Sequence, residues 1–221
     1  MKKNCYPIKE MLRKRSGRPP DAAIEGRILA AAGQLMMERG YSGSTMDDIA
    51  AAAQVSKITL YRRFPDKRSL LKSVVETKCR TFLPHNTFAL PQGSPPDKVL
   101  EHIGVQLLSL ISDPEAVNLV RMLVTEGPKM PEVVDDFFAS GPRPVKAKMA
   151  EMLESFRKQG YLSFDSAEEA REMFYGLVVG RYIHDILVQP GFKLSSQQIK
   201  QHVRKAVEVF MRGYQVNQRH I

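Results

Sequence analysis

Residues 45–64 read TMDDIAAAAQVSKITLYRRF, and their spacing predicts two short helices joined by a tight turn. Ser44 precedes the first helix as a candidate cap. Asp47 and Asp48 stand in its first turn, where carboxylates complement the helix dipole. Met46, Ile49, Ala50 and Ala53 recur at helical spacing and predict a buried stripe. Ser56 is placed to cap the second helix, and Val55 to fill the gap between the two. Leu60 and Phe64 lie four apart and share one face of the second helix. At about 100° per residue, Ile58 and Arg62 then point the opposite way. Lys57, Thr59, Tyr61 and Arg63 fall on the flanks or at the helix start. A short helix with a narrow apolar back and a basic, hydroxyl-bearing front suits a DNA major groove.

Charge is distributed to match. Residues 1–80 hold 17 Lys+Arg against 8 Asp+Glu, a net of +9, whereas residues 81–221 hold 16 of each. The whole cationic excess therefore lies in the part that carries the two-helix motif, which is the electrostatic footprint of a nucleic-acid binder. Cys5 and Cys79 lie far apart, with no CxxC pair and no apolar signal segment ahead of them. That predicts a reducing cytoplasm and no disulfide framework. No apolar run approaches the roughly 20 residues a membrane span needs.

The motif resembles the DNA-binding element of the TetR/AcrR family of bacterial transcriptional regulators. The resemblance is carried by Thr45, Asp48-Ile49-Ala50, Ala53, Val55-Ser56-Lys57, Thr59-Leu60-Tyr61, Phe64 and Lys67, followed by Leu70-Leu71. Two positions depart from the pattern. Gln54 stands where a turn glycine is usual, and Ile58 where glycine or another small residue is common. The resemblance implies an all-α chain with an N-terminal three-helix helix-turn-helix domain and a C-terminal helical domain for ligand binding and dimerisation. Its implied partners are a double-stranded, roughly palindromic DNA operator, a second copy of the chain and a small-molecule effector, with no cofactor and no membrane. Repression is the implied mode, and activation stays open.

Within that frame the expected DNA contacts are Thr45, Lys57, Ile58, Thr59, Tyr61, Arg62, Arg63 and Lys67. Arg15 and Arg18, in the basic arm 1–20, are expected to touch the minor groove or phosphates. Lys67, at the positive end of the next helix, suits a phosphate, as does the Tyr61 hydroxyl. Arg62 is placed to read guanine. Ile58 has two readings: contact with a thymine methyl or with the sugar-phosphate wall.

Helical periodicity organises the rest. Asp21 is the expected cap of a helix 22–39 that ends at Gly40, and residues 21–82 form the DNA-binding domain. Pro84, Pro91, Pro95, Pro96 and Gly93 mark residues 83–97 as a linker. Residues 97–221 form the second domain, entirely helical in pattern. Pro114, Pro131 and Pro142 open successive helices, one continuous helix is expected over 166–188, and another over 196–214. The segments FFASGPRP, GYLSFDSAEEA and FYGLVVGRY, within residues 120–190, resemble the C-terminal domain of the AefR-like branch of the same family. Gly176 and Gly180, four apart, permit a close helix approach either within one subunit or at a dimer interface.

No P-loop, HExxH, GxSxG or dinucleotide fingerprint appears, and the histidines show no metal-ligand spacing. The chain therefore reads as no enzyme. Cys79 reads as a small buried hydrophobe. Met122, Phe138, Met149, Met152, Phe156, Phe174 and Tyr175, with Glu126 as a polar group, are the candidate lining of an adaptable apolar effector pocket. Arg121, His102 and Gln106 are further polar candidates. The alternative to a regulator is an all-α small-molecule carrier or interaction adaptor with an incidental basic arm.

Overall fold

The computed structural model describes residues 21–82 and 93–216. Among them are eleven α-helices, one 3-10 turn at Gly127–Lys129 and no strand; a single isolated bridge joins Leu162 to Gln215. The basic arm, and with it Arg15 and Arg18, lies outside the described residues.

The N-terminal half is α1 (Asp21–Arg39), α2 (Met46–Ala52), α3 (Lys57–Arg63) and α4 (Lys67–Phe82). Gly40 ends α1 with φ 76°, a backbone conformation that costs glycine nothing. The cap of α2 is Thr45, not Ser44. Thr45 has the extended backbone a cap needs, and its hydroxyl accepts from the Asp48 N–H while the Asp48 carboxylate accepts from the Thr45 N–H. Ser44 is instead buried and donates to the Tyr41 carbonyl (3.0 Å). At the α2 C-terminus Gln54 adopts φ 55°. The Gln54 N–H then donates to Ala51 O (3.1 Å) and the Val55 N–H to Ala50 O (3.0 Å), the paired closure usually built on glycine. Asp66 caps α4 by accepting from the Ser69 N–H (2.7 Å).

The C-terminal half is α5 (Pro96–Ile111), α6 (Pro114–Glu126), α7 (Pro131–Ser140), α8 (Pro142–Lys158), α9 (Ala167–Val179), α10 (Ile183–Val188) and α11 (Ser196–Tyr214). Four of these open on proline, whose fixed φ suits a first turn and whose missing N–H is no loss there. The expected single helix 166–188 is broken at residues 180–182. Tyr182 N–H reaches back only three residues, to Val179 O (2.9 Å), so the carbonyls of Leu177 and Val178 leave the helical ladder. His202 on α11 takes both, with Nε2 at 3.1 and 2.9 Å; two carbonyls can only accept, so Nε2 carries the proton. Arg121 on α6 caps the end of α10. Its Nε donates to Leu187 O (2.8 Å), and its Nη2 to Ile186 O (3.0 Å) and Gln189 O (3.2 Å). Both features need partners distant in sequence, and periodicity does not reveal such partners.

The buried side chains form two clusters. One joins α1–α4 with Leu119, Met122 and Leu123 of α6, with Met130, and with Val133 of α7. The other is built from α5, α8, α9, α10 and α11, with Val117 of α6. The core of the DNA-binding half is thus closed by helices that follow the linker. The contact is close: a Cβ on Gly141 would lie 2.9 Å from Cys79 Sγ on α4.

Candidate nucleic-acid interface

On α3, Leu60 is fully buried and Phe64 nearly so, which fixes the opposite face outward. Ile58 is 80% and Tyr61 48% exposed. Arg62 is exposed and Arg63 half-buried. Ser56 caps the helix, accepting from the Thr59 N–H (3.1 Å), and the two hydroxyls share a 2.8 Å hydrogen bond. Lys57 bridges back across the turn to Asp47 (2.7 Å). The hydrogen bond to that carboxylate, then its charge, holds the Lys57 ammonium above the usual lysine range.

Thr45, Lys57 and Thr59, expected on DNA, are thus all engaged within the motif. Lys67 is engaged more tightly. Its ammonium donates to Tyr41 O and Ser44 O (2.7 Å each) and sits 4.2 Å from the centre of the Tyr41 ring. Two of its three N–H groups therefore fasten the α1–α2 loop to the start of α4, and the third is what a phosphate would take. Sequence reasoning missed this role, because the acceptors are backbone carbonyls with no residue signature.

The cationic excess is divided as well. Arg68 pairs with Glu132, Lys72 with Asp136 (3.0 Å) and Lys78 with Glu115. Three cations of α4 thus face acids of α6 and α7. Exposed pairs of this kind contribute little stability, but they orient α4 against the second half. Glu126, buried to 9% exposure at the end of α6, meets the α1–α2 loop through the Ser42 hydroxyl (3.4 Å) and pairs with Lys129 (3.5 Å).

The description of bacterial regulatory proteins of the tetR family fits residues 28–74, and that of the AefR-like transcriptional repressor C-terminal domain fits residues 98–216. The second match alone spans more than half of the chain. The chain belongs to the TetR family. It is a DNA-binding transcriptional regulator with the helix-turn-helix that family uses. The HTH-type regulator YvkB of Bacillus subtilis, itself uncharacterized, is 24% identical over 189 residues, 85% of this chain and 95% of the relative. The flavonoid-responsive regulator FrrA superposes with a TM-score of 0.76 at 29% identity, over 90% of this chain and 100% of that one. A TetR-family regulator from Mesorhizobium loti shares the fold, with a TM-score of 0.80 at 22% identity over 88% and 98%.

In this TetR-family chain half of the expected effector residues come together, and the others lie apart from them. Met122 belongs to the first cluster, near Glu126. Met149, Phe156 and Phe174 are buried in the second, with Met152 packed against it. Phe138 and Tyr175 are exposed. Phe174 stacks edge-on against Phe210 (5.4 Å) and has no accessible surface. Arg121 is a helix cap, not a pocket group. A cleft of about 540 Å³ lies between α8 and the start of α9, lined by Glu151, Glu154, Asp165 and Glu168 among others; none of the expected residues lines it. Cys79 is buried, and desolvation pushes its thiol up to about 11, so it is no thiolate at neutral pH. Among the described residues no group of His, Cys, Asp and Glu could hold a metal, and no helix is long and apolar enough to cross a membrane.

Proposed function

We propose that this protein is a cytoplasmic, homodimeric repressor that grips a roughly palindromic operator and lets go when a small, largely apolar effector enters its C-terminal half. One observation carries the DNA reading. Among the described residues of 21–82, the large apolar side chains left exposed are Ile58 and Tyr61, and both lie on α3 beside Arg62. Ile58 and Arg62 face the bases, Tyr61 and Lys67 reach phosphates, and Thr45, Lys57, Thr59 and Arg63 border the contact. Arg15 and Arg18 extend it into the minor groove.

The dimer reading rests on α9 and α11. Met173 is 61% and Val209 53% exposed, each one residue before the Phe174–Phe210 pair that joins these helices. No heavy atom outside its own surroundings lies within 4 Å of a Cβ placed on Gly176. Its open surface is left to a partner, since nothing else among the described residues comes within 4 Å of it. To bind one operator, a dimer formed through this surface must hold its two copies of α3 one helical turn of DNA apart, about 34–36 Å.

Effector release is a linkage between sites. FrrA is by its name flavonoid-responsive, and a relative in fold from Saccharomonospora viridis is seen with choline. An effector that parts Met149, Met152, Phe156 and Phe174 would shift α8 and α9. The effect would pass through α7 and α6 to α4 and, by way of Met122 and Glu126, to the α1–α2 loop.

Selection of binding sites from random DNA, followed by sedimentation of the complex, tests this. The expected result is two inverted half-sites bound by one dimer. Tyr61→Phe and Lys67→Ala should weaken all sites alike and lower the salt slope, whereas Arg62→Ala should relax one position per half-site. No sequence preference, or a monomer at micromolar concentration, overturns the proposal.

A further inference from the structure

The first turn of α3 carries Lys57, Ile58 and Thr59, and the first and last of these are already held within the motif. Lys57 is held by Asp47 at 2.7 Å, and the Thr59 hydroxyl by Ser56 at 2.8 Å. Between them Ile58 projects with 80% of its surface in water. The other isoleucine, leucine and valine side chains of α1–α4 are buried or partly so. Residues at the start of a reading helix are those that meet base edges. A branched aliphatic chain there has no donor or acceptor, so it cannot distinguish the hydrogen-bond patterns of the four base pairs. What it can recognise in the major groove is a methyl group.

We propose that Ile58 reads the 5-methyl group of a thymine, one in each half-site. This rests on the reading of the protein as an operator-binding regulator. A group seated on the sugar-phosphate wall would add affinity without base preference. A group seated on a methyl makes affinity depend on that methyl alone. Removing one buried methyl should weaken binding about fourfold per half-site. 5-Methylcytosine offers the same methyl, so the probe DNA must separate the two bases.

The test uses the full-length protein and Ile58→Ala, first confirmed to share one melting temperature. Sites selected from unmethylated random DNA identify the thymine whose enrichment disappears in Ile58→Ala. That thymine is replaced by deoxyuridine, which keeps the base pair and deletes only the methyl. Wild type should lose about fourfold per half-site, and Ile58→Ala should be indifferent. In a third probe cytosine and 5-methylcytosine are compared at the same position. Equal loss in both proteins on uracil substitution, or no loss in either, overturns the inference while leaving operator binding intact. Insensitivity to uracil combined with a gain from 5-methylcytosine overturns the thymine assignment. Absence of any selected site fails the regulator reading itself, and the inference with it.

Discussion

Gln54 shows how far one side chain can depart from a family pattern without altering the turn. It holds φ 55° and still makes the two backbone hydrogen bonds that close α2. A non-glycine residue there carries a penalty of about 1–2 kcal/mol, partly offset because glycine loses more freedom on folding. Gln54→Gly should therefore raise stability by about 0.5–1 kcal/mol, read as a higher melting temperature; a lower one would mean the glutamine side chain contributes something the turn needs. Asp48 gives a pH-dependent counterpart. The hydrogen bond from the Thr45 hydroxyl, with that from the Thr45 N–H, holds its carboxyl below the usual range, as Ser69 does for Asp66. A depressed folded value means the stabilisation is present above the ordinary carboxylate range and is lost as pH falls through the lower folded value. Thermal melts from pH 5 to pH 2 should show a shallower acid limb for Asp48→Asn than for wild type, with the two curves converging at the acid end. Parallel curves would remove Asp48 from the acid response.

The short helix α10 leans on a side chain remote in sequence. It has six residues, too few to stand alone in water, and its last carbonyls accept from the Arg121 fork. A lysine has the charge but not the planar fork that reaches three acceptors. Arg121→Lys should therefore destabilise nearly as much as Arg121→Ala, by about 1–2 kcal/mol. Amide exchange should quicken across 183–188 in both. Full rescue by lysine would reduce Arg121 to a point charge at a helix end.

The two halves share a boundary in sequence but not in packing. The linker separates residues 21–82 from the second half, yet Leu119, Met122, Leu123, Met130 and Val133 complete the first core. A chain ending at residue 92 should therefore lack a cooperative melt and expose apolar surface to a dye such as ANS. A sharp transition like that of the full chain would show that α1–α4 carry their own core. Because α6 and α7 belong to that core, any displacement of them acts directly on the reading head, which is what a release mechanism needs.

The sequence by itself determined what depends on neighbours three or four residues away. The stripe of α2, the caps Ser56 and Asp66, the Gly40 stop, the outward face of α3 and the proline starts of α6, α7 and α8 are each set within about one helical turn of sequence. The motif that shows the family is made of the same local signals. Tertiary structure alone decided which distant groups meet. It gave Lys67 to two carbonyls, Arg68 and Lys72 to acids of α7, His202 to the broken end of α9, and divided the candidate effector residues between two cores and the surface. Periodicity reports the face on which a side chain lies. It carries no information about a partner 20 or 80 residues away, because that pairing is set by how the helices stack and by which buried polar groups then need a hydrogen bond.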